Sequence, residues 1–426
     1  MPTQKTKAKS APDSLSFEFG RVCLYYSILP FYEIAHMSEK DPAASSHTYL
    51  NHDSYHAEGA ASPPIYQTSL FTFGSYEEME VRFKGQSDRA LYSRIDNPTV
   101  TALLQKLCLL EGGEKALAFS SGIAAISNAV LGLIRTGDHI VCVNHCYPDT
   151  YRLLQLVCTR FGVTTEFVNG SDTAAVAKAL PGARILYLES PTSWLFQEQD
   201  LRALAQLAQT HGVVSLVDNS WASPIYQQPL AAGIDLVVHS ATKYISGHSD
   251  VVAGALVGRA DLINHLSAET AAYLGAKLSA HEASLLLRGL RTLPLRMERV
   301  HLSGLTLAKQ LSDHSSVKHV NHPGLRVNPH SHLTGYGGLF SFEAGDALDI
   351  PRFCNALEFF KLGVSWGGHE SLVMPAEISI GQAGSCSAAV DFGVSPRLIR
   401  LYVGLEDVSD LWEDLERALF AASPHG

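Results

Sequence analysis

Two short apolar runs, each leading to a charged residue, constrain the fold of this chain most tightly. Val213-Val214-Ser215-Leu216-Val217 closes on Asp218, and Asp235 to Val238 leads into His239-Ser240-Ala241-Thr242-Lys243-Tyr244. Short β-branched runs of this kind read as strands of a mostly parallel α/β sheet. The gap from Asp218 to Lys243 is 25 positions, which two parallel strands and a crossover fill. Ligands of open α/β sheets bind outside the carboxyl ends of such strands.

The residue types at those ends suggest a specific chemistry. A lysine amine attacks a carbonyl only when its charged form is disfavoured, and neighbouring hydroxyls can donate to a phosphate, so Lys243 between Ser240, Thr242 and Tyr244 suits Schiff-base chemistry with pyridoxal 5'-phosphate. Asp218 could then face the pyridine nitrogen and keep it protonated, so that the ring accepts electrons from a carbanion. Read singly, Lys243 is an ordinary lysine leaving a strand and Asp218 a cap or turn residue; the pairing is what points to the cofactor. A third element is Phe119-Ser120-Ser121-Gly122-Ile123-Ala124-Ala125, where a strand turns through small residues into a helix. Free N–H groups and the positive end of the helix dipole can meet a phosphate there, although Ser-Gly before a helix is equally an N-cap.

From about Gly112 to Gly258 apolar strand-like runs alternate with amphipathic stretches: Lys115 to Phe119, Ile126 to Ile134, His139 to Val143, Arg184 to Leu188, Leu201 to Gln209, then the two strands above. That rhythm predicts an α/β fold with a mostly parallel sheet. A helix is expected over Ala268 to Arg288, ending near Leu290-Arg291-Thr292-Leu293-Pro294. Beyond Arg296 the pattern becomes a helix near Leu302 to Leu311, strands near Gly338 to Glu343 and Leu398 to Val403, and a final helix from Val408 to Leu419. The expected organisation is a flexible extension over 1–45, an N-terminal segment over 46–110, a large cofactor domain over 111–295 and a smaller α+β domain over 296–426.

A formal charge of −10 argues against nucleic acid or an anionic membrane as the main partner. Seven cysteines, Cys23, Cys108, Cys142, Cys146, Cys158, Cys354 and Cys386, lack the spacing of a disulfide framework or zinc site, so a reducing cytosol is expected and no metal is assigned. Cys142 and Cys146 lie in the run His139 to Cys146, whose alternation predicts buried thiols on one face. Near the start, Lys5, Lys7 and Lys9 precede an aromatic stretch, Val22 to Tyr32, too short for a bilayer and interrupted by Pro30. A signal or transit peptide is one account; an upstream extension before Met37 is the simpler one. His322, His330 and His332 sit in a proline- and glycine-marked loop with no metal spacing, and are expected to be solvated or loop-packing.

Several motifs in order carry a resemblance: Tyr92-Ser93-Arg94 with Asn97-Pro98-Thr99, the Ser-Gly turn, Glu189-Ser190-Pro191, Asp218-Asn219-Ser220-Trp221-Ala222, Ser240-Ala241-Thr242-Lys243-Tyr244, and Leu398-Ile399-Arg400-Leu401. From about Pro63 to Leu419 the chain resembles the cysteine/methionine-metabolism family of pyridoxal phosphate enzymes, the trans-sulfuration enzymes. That resemblance implies the fold-type I (aspartate-aminotransferase-like) architecture, homotetramers of tight dimers and a small amino-acid substrate. It implies that Lys243 bonds the cofactor, Asp218 pairs with the pyridine nitrogen, and Ser240, Thr242, Ser121, Gly122 and Ile123 hold the phosphate. It further implies that Tyr92 and Arg94 reach the phosphate of the neighbouring subunit, Tyr147 stacks on the cofactor and shuttles a proton, and Ser365 and Arg400 receive the substrate carboxylate.

Two loops depart from the family pattern. Many members continue with glycines after the tyrosine where this chain has Tyr147-Pro148-Asp149-Thr150, and many have Asn-Pro where it has Ser193-Trp194. The subfamily details divide. Trp221, Gly247-His248-Ser249-Asp250, Ser365-Trp366-Gly367-Gly368 and Gly337-Gly338-Leu339-Phe340-Ser341-Phe342 lean toward bacterial cystathionine β-lyase, whereas Tyr92 to Thr99 looks more like γ-acting members. Val364 stands where several γ-acting cystathionine enzymes carry glutamate. The resemblance therefore implies a carbon–sulfur lyase acting by α,β-elimination. The alternatives are a γ-acting member, a specialised lyase of secondary metabolism and a catalytically idle cofactor-binding regulator.

Overall fold

The computed structural model describes residues 46–51, 59–382, 384 and 386–424. The expected extension over 1–45, with Lys5, Lys7, Lys9, Cys23, the Val22 to Tyr32 stretch and Met37, lies outside them.

Seven strands make the larger sheet: β1 (Lys115–Phe119), β2 (His139–Val143), β3 (Thr164–Val168), β4 (Ala183–Glu189), β5 (Val214–Asp218), β6 (Leu236–His239) and β7 (Gly254–Gly258), in the order β1-β7-β6-β5-β4-β2-β3. The run β6-β5-β4-β2-β3 is parallel. β7 alone runs against its neighbours β1 and β6.

Both faces of this sheet are covered, which is why its central strands read as unbroken apolar runs. On one side Val214 and Leu216 join Ile140 and Cys142 beneath Ala125, Ile126 and Ala129 of the helix Gly122–Leu133. On the other, Val217, Val141 and Val143 pack on Leu201, Leu204 and Ala208 of the helix Leu201–His211. Two strands escape the sequence pattern for opposite reasons. β3 is an edge strand with solvent-facing Thr164 and Glu166, and β7 opens and closes with glycine.

A second, five-stranded sheet contains β8 (Val317–Asn321), β9 (Leu339–Ala344), β10 (Lys361–Leu362), β11 (Leu372–Pro375) and β12 (Leu398–Tyr402), ordered β10-β11-β12-β9-β8. Ile399 and Leu401 face a core with Phe340, Phe342 and the final helix Val408–Ala421. Alternation therefore turns Leu398 and Arg400 to the opposite face, where Leu398 packs on Trp194 from the larger sheet's loops.

Two helices differ from expectation. The segment Ala268 to Arg288 is broken, with helical turns up to Leu274, then Gly275 at φ +84°, then a new helix over Ala280–Arg291. The restart is encoded locally, because Ser279 and Glu282 form a reciprocal capping box. The break lets Lys277 bridge to Phe119 at the end of β1. The helix read near Leu302 to Leu311 begins earlier, at Leu293, and runs to Ser312, through the position where the sequence pattern changes.

Cys142 and Cys146 are both buried in one cluster, although the strand itself stops at Val143. His322 is fully buried against Tyr336 and Phe340, its imidazole pushed down to about 3 by burial, while His330 and His332 sit beside Asp200. Among the described residues no group of His, Cys, Asp and Glu could hold a metal ion, and no helix is long and apolar enough to cross a membrane.

Candidate active site

Because β1, β2, β4, β5 and β6 point the same way, their carboxyl ends share one edge of the sheet, and most of the residues singled out above gather there. Asp218 closes β5 between Glu189 of β4 and Val238 of β6. Its Oδ1 accepts from the Ser220 backbone N–H at 2.9 Å, and burial raises its pKa, an effect opposed by Ser220 and by the charges of His239 and Lys243. Glu189 is held well above the usual carboxylate range by burial and by Asp218, and accepts from the Tyr147 N–H at 2.6 Å. Two carboxylates side by side in an apolar setting resist sharing a negative charge, and that arrangement favours a nearby cation.

Lys243 lies beyond β6 in a turn closed by hydrogen bonds from Lys243 N–H to Ser240 O at 3.0 Å and from Gly247 N–H to Lys243 O at 2.8 Å. Its Nζ donates to Ser365 Oγ at 2.6 Å and stands 5.3 Å from the centre of the Trp366 ring. Burial and the positive charge of Arg400 push the ammonium down to about 8, with Asp218 pulling the other way. The lysine's neighbourhood is close-packed. Gly367 sits at φ +89°, and a Cβ there would come within 2.8 Å of the Lys243 backbone.

The helix Gly122–Leu133 starts at the same edge, capped by Ser121 Oγ accepting from Ala124 N–H at 3.1 Å. A Cβ on Gly122 would stand 2.8 Å from the Ser240 side chain, and one on Gly254 would stand 2.1 Å from Ser121 O. The glycines thus bring the first-turn N–H groups of Gly122 and Ile123 beside Ser240, where an anion gains most from them. Thr242 Oγ1 is already engaged, donating to Ala253 O at 3.1 Å and accepting from Ala253 N–H at 2.9 Å.

Tyr147 follows β2 and is 41% exposed. Its hydroxyl donates to Asp149 Oδ2 at 2.8 Å, and Arg152 Nη1 holds the other oxygen of Asp149 at 2.7 Å. Burial, then the charge of Asp149, raises the phenol's pKa. From the second sheet, Arg400 donates through Nη2 to Val364 O at 2.9 Å, and burial pushes its guanidinium down to about 10. Among the described residues it has no carboxylate partner.

The structure therefore brings together Lys243, Asp218, Tyr147, Ser240, Ser365 and Arg400 with the Ser121-Gly122-Ile123 turn. It places Tyr92 and Arg94 elsewhere. Both are exposed, with the Arg94 guanidinium 5.5 Å from the Tyr92 ring centre and donating to Ala272 O at 2.9 Å. Trp221 is buried, its indole donating to Leu339 O at 2.8 Å, so it braces the core beneath the site. Sequence reasoning missed Arg296, which is buried and holds the lysine's turn by donating to Tyr244 O and Gly289 O, each at 2.7 Å. Its only sequence signal is an arginine on the apolar side of an otherwise amphipathic helix.

Such a crevice is the fold-type I arrangement of enzymes that work through pyridoxal 5'-phosphate. Within that class the chain belongs to the Cys/Met metabolism PLP-dependent enzymes, the description of the family whose model matches residues 45–420. It is 37% identical over 397 residues to an L-methionine gamma-lyase of Pseudomonas putida, covering 91% of this chain and all of the relative. It is 37% identical to a cystathionine beta-lyase of Lactococcus lactis subsp. cremoris, covering 85% of this chain and 94% of the relative. A solved cystathionine gamma-lyase from Lactobacillus plantarum, complexed with L-serine, superposes with a TM-score of 0.82 at 35% identity, covering 89% of this chain and 99% of that one. The chain is thus a pyridoxal-phosphate enzyme of the trans-sulfuration family, and its residues fit the cofactor: a desolvated amine, a buried carboxylate and a glycine-lined helix start share one crevice.

Proposed function

We propose that this enzyme is a carbon–sulfur lyase that cuts cystathionine or a related thioether amino acid by α,β-elimination, giving pyruvate, ammonia and a thiol such as homocysteine. In this reading Lys243 bonds the cofactor, Asp218 faces its pyridine nitrogen, Ser240, Thr242 and the Ser121-Gly122-Ile123 turn hold its phosphate, and Tyr147 covers its ring. Tyr92 and Arg94 serve the phosphate of a neighbouring subunit, which makes an oligomer built from dimers part of the active site. Bound there, pyridoxal phosphate supplies an electron sink for the carbanion that forms at Cα.

The chain's own groups then divide the work. Arg400 and Ser365 orient the substrate carboxylate, the guanidinium offering a planar fork to two oxygens. Lys243, pushed down to about 8, keeps roughly a tenth of its amine neutral at pH 7, a far larger share than a free lysine, and that form takes the Cα proton. The buried Asp218 carboxylate holds a proton on the ring nitrogen opposite it.

The observation that carries the α,β assignment is the Tyr147–Asp149 hydrogen bond of 2.8 Å. It commits the tyrosine's proton to a carboxylate and leaves Lys243 as the group in the crevice that takes the Cα proton. An α,β-elimination needs one proton removed, from Cα, before the thiolate leaves Cβ. An α,γ-elimination needs a further proton from Cβ. The γ-acting reading has its own support from the methionine gamma-lyase likeness at 37% identity, whereas exposed, apolar Val364 fits β-lyases and methionine γ-lyases alike.

The purified protein incubated with L-cystathionine tests the assignment through the 2-oxo acid released. Pyruvate is expected, and 2-oxobutyrate would establish γ-elimination instead.

A further inference from the structure

Trp194 does something that neither the family likeness nor the proposed chemistry assigns. It occupies a loop bound on both sides, with Ser193 N–H donating to His145 O at 2.9 Å and Ser341 Oγ, from the second sheet, donating to Trp194 O at 2.5 Å. The residue sits at φ +62°, a conformation that a bulky side chain keeps only where its surroundings over-determine it. The side chain is 4% exposed, and its indole N–H is buried without a hydrogen-bond partner. Hydrogen bonding therefore does not explain why the ring is there. Apolar packing with Leu398, Ala376 and Val394 seats the ring, and over it lies the Arg400 guanidinium, 5.3 Å from the ring centre and within cation–π range.

We propose that Trp194 is a positioning residue that clamps Arg400, and so sets the affinity and selectivity of the crevice for the α-carboxylate of its amino-acid substrate. The indole gives the guanidinium a flat support, and Val364 O takes one of its N–H groups. The remaining N–H edges stay in a fixed plane for a carboxylate. Without the ring, Arg400 would be a long, partly desolvated side chain with several rotamers to lose on binding. The same face also stabilises the positive charge while no anion is present.

The inference rests on the reading of Arg400 as the carboxylate anchor, so the experiment separates the two. Binding of L-alanine and of ethylamine to the holoenzyme is measured by calorimetry for the wild type, Trp194→Leu, Trp194→Phe and Arg400→Ala. Leucine keeps apolar bulk without a π face. Trp194→Leu is expected to weaken L-alanine about tenfold, the change a desolvated cation–π contact of about 1.4 kcal/mol produces, and to leave ethylamine unchanged. Trp194→Phe should fall between Trp194→Leu and the wild type, and KM for the thioether substrate should rise with kcat held within about twofold. Equal weakening of acid and amine, or no change in either, would overturn the inference. If Arg400→Ala keeps the preference for acid over amine, the anchor reading fails. If Arg400→Ala loses that preference while Trp194→Leu keeps it, only the clamp fails. Should Trp194→Leu not fold, the Phe variant's graded loss decides the same question.

Discussion

Lys243 carries a measurable energetic penalty in the protein stripped of cofactor. Its pKa falls from 10.5 to about 8 on folding, chiefly through burial and then through the charge of Arg400. At pH 7 roughly a tenth of the amine is neutral, against roughly one in three thousand for a free lysine, which is the gain in reactivity. The corresponding cost in stability is about 3.4 kcal/mol, or roughly 2 to 3 kcal/mol after allowing for the solvent that still reaches the amine. Between pH 8 and 10.5 the unfolded chain holds the proton and the native one does not, so stability rises with pH across that window and the penalty is complete below it. Lys243→Met removes the charge and keeps a flexible apolar side chain. Urea unfolding of both cofactor-stripped proteins, at one protomer concentration, should find the variant about 2 to 3 kcal/mol more stable at pH 7, with the gap closing toward pH 10. A gap that ignores pH, or a wild type more stable at pH 7, would refute the account of a desolvated amine. The same variant should have no turnover.

Gly367→Ala places a Cβ within 2.8 Å of the Lys243 backbone at φ +89°, so it should cost about 2 to 4 kcal/mol in a thermal or urea melt and reduce cofactor loading read by visible absorbance. Asp149→Asn removes a negative charge that holds the Tyr147 proton, so the phenol's pKa should fall, read as alkaline tyrosinate absorbance by difference against Tyr147→Phe; an unmoved titration would mean that Asp149 does not hold that proton. Arg94→Ala and Lys243→Ala subunits, each inactive alone, should recover roughly a quarter of wild-type activity when mixed and reassembled, because half of the dimers are hybrids with one intact site. No recovery would place Arg94 outside the neighbour's site.

Much of the crevice is legible along the chain because strand ends are local events. The runs before Asp218 and Lys243 are apolar since both faces of the sheet are buried, and the turn after Phe119 needs small residues where Gly122 meets Ser240. Other elements are not legible in this way. β7 is poor in β-branched residues at its ends because Gly254 must lie against Ser121 O, and Arg296 reads as a surface arginine until its donations to Tyr244 O and Gly289 O are seen. The break at Gly275 overrides an otherwise continuous helical pattern, and only the capping box at Ser279 marks the restart.

The sequence by itself determined the α/β architecture, the family and the identity of the groups suited to the cofactor, since each depends on short apolar runs and motifs read within a few residues. Tertiary structure decided what those groups experience. The Lys243 amine is pushed down to about 8 because packing buries it and because Arg400, 157 positions further on, shares its crevice. Tyr147 is tied by Asp149 on its own helix, whereas Arg400 is supported by Trp194 from a loop of the other sheet. Burial and long-range charge depend on which segments pack together in space, and no local pattern along the chain encodes them.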